Sequence, residues 1–102
     1  MSIESQVEAL ILESIREINE QLPENARIEP SRETRIFGEV GGFDSLALVN
    51  LIVNVEQRIQ ANFDVKVTLA DEKALSQRNS PFRSVDSLAN YIQLLLQEQA
   101  HE

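Results

Sequence analysis

Residues 41–63 read GGFDSLALVNLIVNVEQRIQANF. After the glycine pair no glycine or proline interrupts the run, and apolar residues return every three or four positions. The spacing predicts a helix starting near Asp44–Ser45 and ending near Asn62. Leu48, Ile52, Val55, Ile59 and Phe63 make one apolar stripe, assigned to the core. Leu46, Val49 and Val53 make a second, rotated by roughly 100° from the first. That second stripe is either buried as well or available to a partner.

The flanking sequence predicts more helices. Ile3, Val7, Leu10, Ile11, Ile15, Ile18 and Leu22 keep one face of a helix over Ile3–Leu22, with Ser2 as its cap and Pro23 as its stop. Glu4, Glu8, Glu13, Glu17 and Glu20 read as its solvated face. Residues 23–43 hold Pro23, Pro30 and all three glycines (Gly38, Gly41 and Gly42), which predicts a loop of about twenty residues. Ile28, Ile36, Phe37 and Val40 are expected to tie this loop to the core.

Beyond the central helix, Asp64–Val67 reads as an extended link. Thr68–Leu75 reads as a short helix capped by Thr68, and Ser76–Arg83 as a polar loop with Phe82 turned inward. A last helix is expected from the cap Ser84 to about Gln99, its core face Val85, Leu88, Ile92 and Leu95, flanked by Tyr91 and Leu96. Residues 100–102, with His101, read as a fraying solvated tail. No strand pattern, repeat or linker is visible. The expectation is one all-α domain over residues 1–102, an antiparallel four-helix bundle of three main helices and one short one.

Composition narrows the function. Lys plus Arg number 9 and Asp plus Glu 17, a net charge of −8. That disfavours nucleic acid and anionic lipid as partners and favours cationic surfaces. Residues 1–43 carry nine acids and four arginines, so the first half holds more of the excess charge. With no cysteine and one histidine, thiolate nucleophiles, Cys-based zinc sites, multi-His metal sites and a Ser-His-Asp triad are ruled out or nearly so. No apolar run is long enough to span a membrane, no secretory signal is visible, and a cytoplasmic monomer is expected. The chain reads as something acted on by enzymes and not as an enzyme.

One constellation carries chemistry. In Gly41-Gly42-Phe43-Asp44-Ser45-Leu46 a serine stands at a helix N-terminus, after an aspartate and a glycine-rich approach. This resembles the modification site of the acyl carrier proteins. The likeness extends along the chain. Ser2-Ile3 with Val7, Leu10 and Ile11 resembles the family's first helix, and Phe37 and Glu39 match an aromatic and an acid before the serine. Phe63-Asp64-Val65-Lys66-Val67 resembles the link after the second helix, and Ser84-Val85-Asp86 with Tyr91-Ile92 resembles the fourth.

The resemblance implies a discrete carrier without catalysis of its own. It implies that Ser45 is the attachment point of 4′-phosphopantetheine, placed there from coenzyme A by a phosphopantetheinyl transferase. The arm's thiol would then carry acyl groups as thioesters between enzymes of fatty-acid, polyketide or other specialised acyl metabolism. Asp44, Leu46, Val49, Val53 and Glu56 are the implied partner-recognition residues. The physical chemistry agrees, because a helix N-terminus offers free N–H groups and a positive dipole end to a phosphodiester.

The sequence also departs from the family. Positions usually acidic on the second helix read Ala47, Asn50 and Gln57, leaving Glu56 beside Arg58. Gly41 replaces an apolar residue, and the span from Ser45 to Phe63 is about one turn longer. These departures imply a specialised carrier whose docking leans on Leu46, Val49 and Val53 more than on charge. Two alternatives stand beside this reading: a peptidyl or aryl carrier using the same serine, and an unmodified acidic helical adaptor.

Overall fold

Ser2 starts the first helix as its sequence predicts, its Oγ accepting the Ser5 N–H at 3.2 Å. Helix α1 (Ile3–Glu20) follows, then a 3₁₀ turn at Glu24–Ala26, helix α2 (Ser45–Phe63), a second 3₁₀ turn at Pro81–Arg83 and helix α3 (Val85–Ala100). The computed structural model describes residues 2–37, 43–69 and 81–100, apart from the side chains of Ser45, Pro81, Gln99 and Ala100. Most of the short helix expected at Thr68–Leu75 lies outside the described residues, as do Val40, the three glycines and His101.

α1 ends two residues before the expected Leu22. The N–H groups of Gln21 and Leu22 bond to the carbonyls of Ile18 and Asn19, both at 3.0 Å, so the last turn tightens before Pro23 is reached. α2 ends at Asp64, which is left-handed at φ 54° and ψ 37° and whose N–H reaches the Gln60 carbonyl at 3.0 Å. An Asp tolerates that conformation better than most residues with a Cβ. Asp64 thus turns the chain sharply before the link expected to be extended throughout.

α1 packs against both α2 and α3. α1 buries Val7, Leu10, Ile11, Ile15 and Ile18, with Ser14 among them, its hydroxyl returned to the Leu10 carbonyl at 3.0 Å. α3 buries Val85, Leu88, Ala89, Ile92 and Leu96, and Phe82 in the preceding turn is buried as expected. The radius of gyration, 13.0 Å, is that of a close-packed chain of this length, about 13 Å for 100 residues.

Three expectations about the core are corrected. Ile3 is 54% exposed, because it stands in the first turn, before the buried face of α1 begins at Val7. Leu95 is only partly buried and Leu96 takes the core position, since Leu96 continues the Leu88, Ala89 and Ile92 face at helical spacing. Phe37 is exposed, and Phe43 is the buried aromatic of that segment.

The long loop is held by hydrogen bonds as well as by apolar side chains. Asn19 on α1 grips Ile28 from both sides, its Nδ2 donating to the Ile28 carbonyl at 2.7 Å and its Oδ1 accepting the Ile28 N–H at 3.1 Å. Ile36 is fully buried. Arg35 and Ser84 form an isolated antiparallel bridge, and among the described residues there is no strand. The described residues are therefore all-helical, with three helices in one core.

Candidate functional site

The start of α2 is built by Phe43 and Asp44. Phe43 is buried, and its N–H donates to the Ile36 carbonyl at 2.7 Å. Asp44 is exposed and caps the helix, its Oδ1 accepting the Ala47 N–H at 2.8 Å while its carbonyl accepts the Leu48 N–H at 2.9 Å. Phe43 and Leu48 occupy the N′ and N4 positions of a hydrophobic staple, and both are buried. Ser45 is the first helical residue. Its side chain, and with it the expected exposure of its hydroxyl, lies outside the described residues.

This arrangement suits an anion. The N–H groups of the first helical residues have no partner in the helix's own ladder. Asp44 takes that of Ala47, while those of Ser45 and Leu46 precede the first intrahelical bond. A phosphodiester on Ser45 would sit beside them at the positive end of the helix. The residues present therefore fit the group the resemblance implies.

The second apolar stripe of α2 is exposed. Leu46 is 72% exposed, Val49 54% and Val53 48%. The buried face is wider than the strict stripe, because Ala47 and Leu51 join Leu48, Ile52, Val55 and Ile59. At about 100° per residue, the exposed stripe then lies about 150° from the middle of the buried face. Leu51 and Ala47 were the missing information: they fill the side of the helix farthest from Val49 and Val53 and fix which face points inward.

The two charges of α2 are directed into the fold. Glu56 is half-buried, and its Oε1 accepts the Leu69 N–H at 3.3 Å. That bond gives Glu56, expected to greet a partner, a role inside the fold in holding the link after α2. Arg58 donates from Nε to Asn54 Oδ1 at 2.8 Å, and its guanidinium pairs with Glu13 at 3.6 Å and with Glu17 on α1. A hydrogen bond from Asn54, and then Arg58, holds the Glu17 carboxyl below its ordinary pKa. Two of the α1 glutamates read as a solvated face are thus spent on α2.

A second clamp lies at the other side of the long loop. Arg32 donates from Nε to Asp86 Oδ1 at 2.9 Å, from Nη1 to Glu8 at 3.2 Å and from Nη2 to Glu4 at 3.1 Å. The hydrogen bond to Glu4, then that to Asp86, raises the guanidinium's pKa above its ordinary value. The sequence offered no sign of this cluster.

Three surface clefts among the described residues are polar. One, of about 360 Å³, is lined by residues including Glu33, Arg35, Arg83 and Asp86, and two others lie beside Arg58. No helix among the described residues is long and apolar enough to cross a membrane. Compared with known proteins, the chain matches no family model, no curated protein and no solved structure.

Proposed function

We propose that the chain is a specialised acyl carrier protein, with Ser45 as the attachment point of 4′-phosphopantetheine. The observation that carries this reading is the conjunction at the start of α2. Asp44 caps the helix, Ser45 is its first residue, and the exposed apolar stripe Leu46, Val49 and Val53 begins immediately beside it. The sequence likeness along nearly the whole chain supports it. On this reading the described helices belong to an antiparallel four-helix carrier bundle.

In this function the chain is a substrate and not a catalyst. A phosphopantetheinyl transferase would pass the Ser45 oxygen to the phosphorus of coenzyme A that bears the pantetheine arm. A phosphodiester forms, adenosine 3′,5′-bisphosphate leaves, and the hydroxyl proton goes to the transferase. The bound arm supplies a thiol that carries an acyl group as a thioester. Asp44 holds the helix start, and the N–H groups of Ser45 and Leu46 would be the donors for the phosphodiester. Leu46, Val49 and Val53 give partner enzymes an uncharged apolar contact, since Glu56 and Arg58 are bonded within the fold.

The test is the incubation of the purified chain with coenzyme A and a broad-specificity phosphopantetheinyl transferase, followed by intact mass and peptide mapping. Ser45→Ala is expected to fold and to stay unloaded. Loading of Ser45→Ala would remove the site assignment. A folded wild-type chain that no transferase loads would favour the adaptor reading, in which Ser45 only begins a helix. A loaded chain acylated only by an amino-acid- or aryl-adenylating enzyme would make the cargo aminoacyl or aryl.

A further inference from the structure

Residues 32–36 form a strap between the start of α3 and the start of α2. Along the strap the Asp86 N–H donates to the Arg32 carbonyl at 3.1 Å, the Val85 N–H to the Thr34 carbonyl at 3.0 Å, and the Ile36 N–H to the Arg83 carbonyl at 2.9 Å. The carbonyl of Ile36 then accepts the Phe43 N–H at 2.7 Å. Phe43 is covalently joined to the cap residue Asp44, so an unbroken path runs from residue 32 to the first turn of α2. Ile36 and Phe43 are buried along it.

The far end of the strap is anchored by one side chain. Arg32 holds two acids of α1, Glu4 and Glu8, and one of α3, Asp86. Residues 32 and 86 are doubly joined, since the guanidinium grips the Asp86 carboxylate while the Asp86 N–H returns to the Arg32 carbonyl. Each exposed pair contributes little alone, but three acids on one planar donor restrict the side chain far more than one does. Like-charged Glu4, Glu8 and Asp86 would repel one another without it.

We infer that Arg32 is a positioning residue for the start of α2, latching the 32–36 strap so that Ile36 holds Phe43 and the Asp44–Ser45 turn in place. Its bearing on the loading of Ser45 rests on the carrier reading, whereas the latch itself does not. Removal of the latch frees the strap first and leaves the α1–α2 core intact, because Arg58 clamps α2 to α1 separately.

The experiment is amide hydrogen exchange on the full chain, comparing wild type with Arg32→Ala, Arg32→Lys and Arg58→Ala. In Arg32→Ala the amides of Ile36, Phe43, Val85 and Asp86 are expected to exchange about fivefold faster, the scale of a few exposed ion pairs. Those of Leu51 and Val55 should not change. Arg32→Lys, which keeps a cation among the three acids, should recover much of the protection, and Arg58→Ala should leave the four strap amides unaffected. Unchanged strap exchange in Arg32→Ala would overturn the inference. So would the same pattern in Arg58→Ala, which would mean a general loss of stability. In the loading assay, kcat/KM should fall in Arg32→Ala and recover in Arg32→Lys. If wild type fails to load while the exchange pattern holds, the carrier reading falls and the latch stands.

Discussion

Asp44 and Ala47 are joined by a single hydrogen bond of 2.8 Å, from the Ala47 N–H to Asp44 Oδ1, and the geometry of the α2 start depends on it. With Ala47 at N3 there is no acid to return the bond, so Asp44 caps alone. Asp44→Ala should therefore cost about 1 kcal/mol of stability, and Asp44→Asn much less, as read by denaturant unfolding. Equal stability for Asp44→Ala and wild type would mean the cap contributes nothing.

The two faces of α2 should respond oppositely to the same truncation. Leu51 is fully buried, and Leu51→Ala should destabilise by about 2–5 kcal/mol. Leu46 is 72% exposed, and Leu46→Ala should change stability by less than about 0.5 kcal/mol. If Leu46, Val49 and Val53 contact partner enzymes, the triple alanine variant should lose binding while remaining folded. That binding should change little between low and moderate salt, because no free charge of α2 stands beside the stripe.

Glu17 makes part of the α1–α2 contact sensitive to acid. Its carboxyl lies below the ordinary pKa because Asn54 and Arg58 bond to the charged form, with Glu13 on the same guanidinium. A depressed folded pKa contributes stability that is present above the unfolded carboxyl value, about 4.3, and is lost as pH falls through the folded value. The difference in Tm between wild type and Glu17→Gln should thus be present at neutral pH and vanish in acid. A difference that grows in acid would contradict the sign.

Asp64 tests the helix end. At φ 54° a β-branched residue meets a steric cost of about 1–2 kcal/mol, while glycine meets none. Asp64→Val should lower stability by that order, and Asp64→Gly should leave it unchanged or slightly raised, both readable by thermal unfolding.

The three long helices were legible because their apolar periodicity is strong and Ser2, Asp44 and Ser84 mark their starts. Ser84 behaves as Ser2 does, its Oγ accepting the Ser87 N–H at 3.2 Å. The choice between Phe37 and Phe43 was not legible, since an aromatic stands on each side of the glycines; in the fold Phe43 is buried and bonded to the Ile36 carbonyl, while Phe37 is exposed. Leu51 escaped because it lies on the helical row beside the strict stripe. The Arg32 latch could not be read at all: its partners lie 28, 24 and 54 residues away, and no local pattern encodes such pairings. The hydrogen bond from the Leu69 N–H to Glu56 was not legible either, since its two ends lie 13 residues apart.

If the chain is a carrier, Ser45 at the start of α2 accepts a phosphopantetheine arm. The direct measurement is the intact mass of the folded chain before and after incubation with coenzyme A and a broad-specificity transferase. A carrier gains one phosphopantetheine unit, mapped to Ser45 and absent in Ser45→Ala. An unchanged mass with several transferases, on a sample shown to be helical, would contradict it.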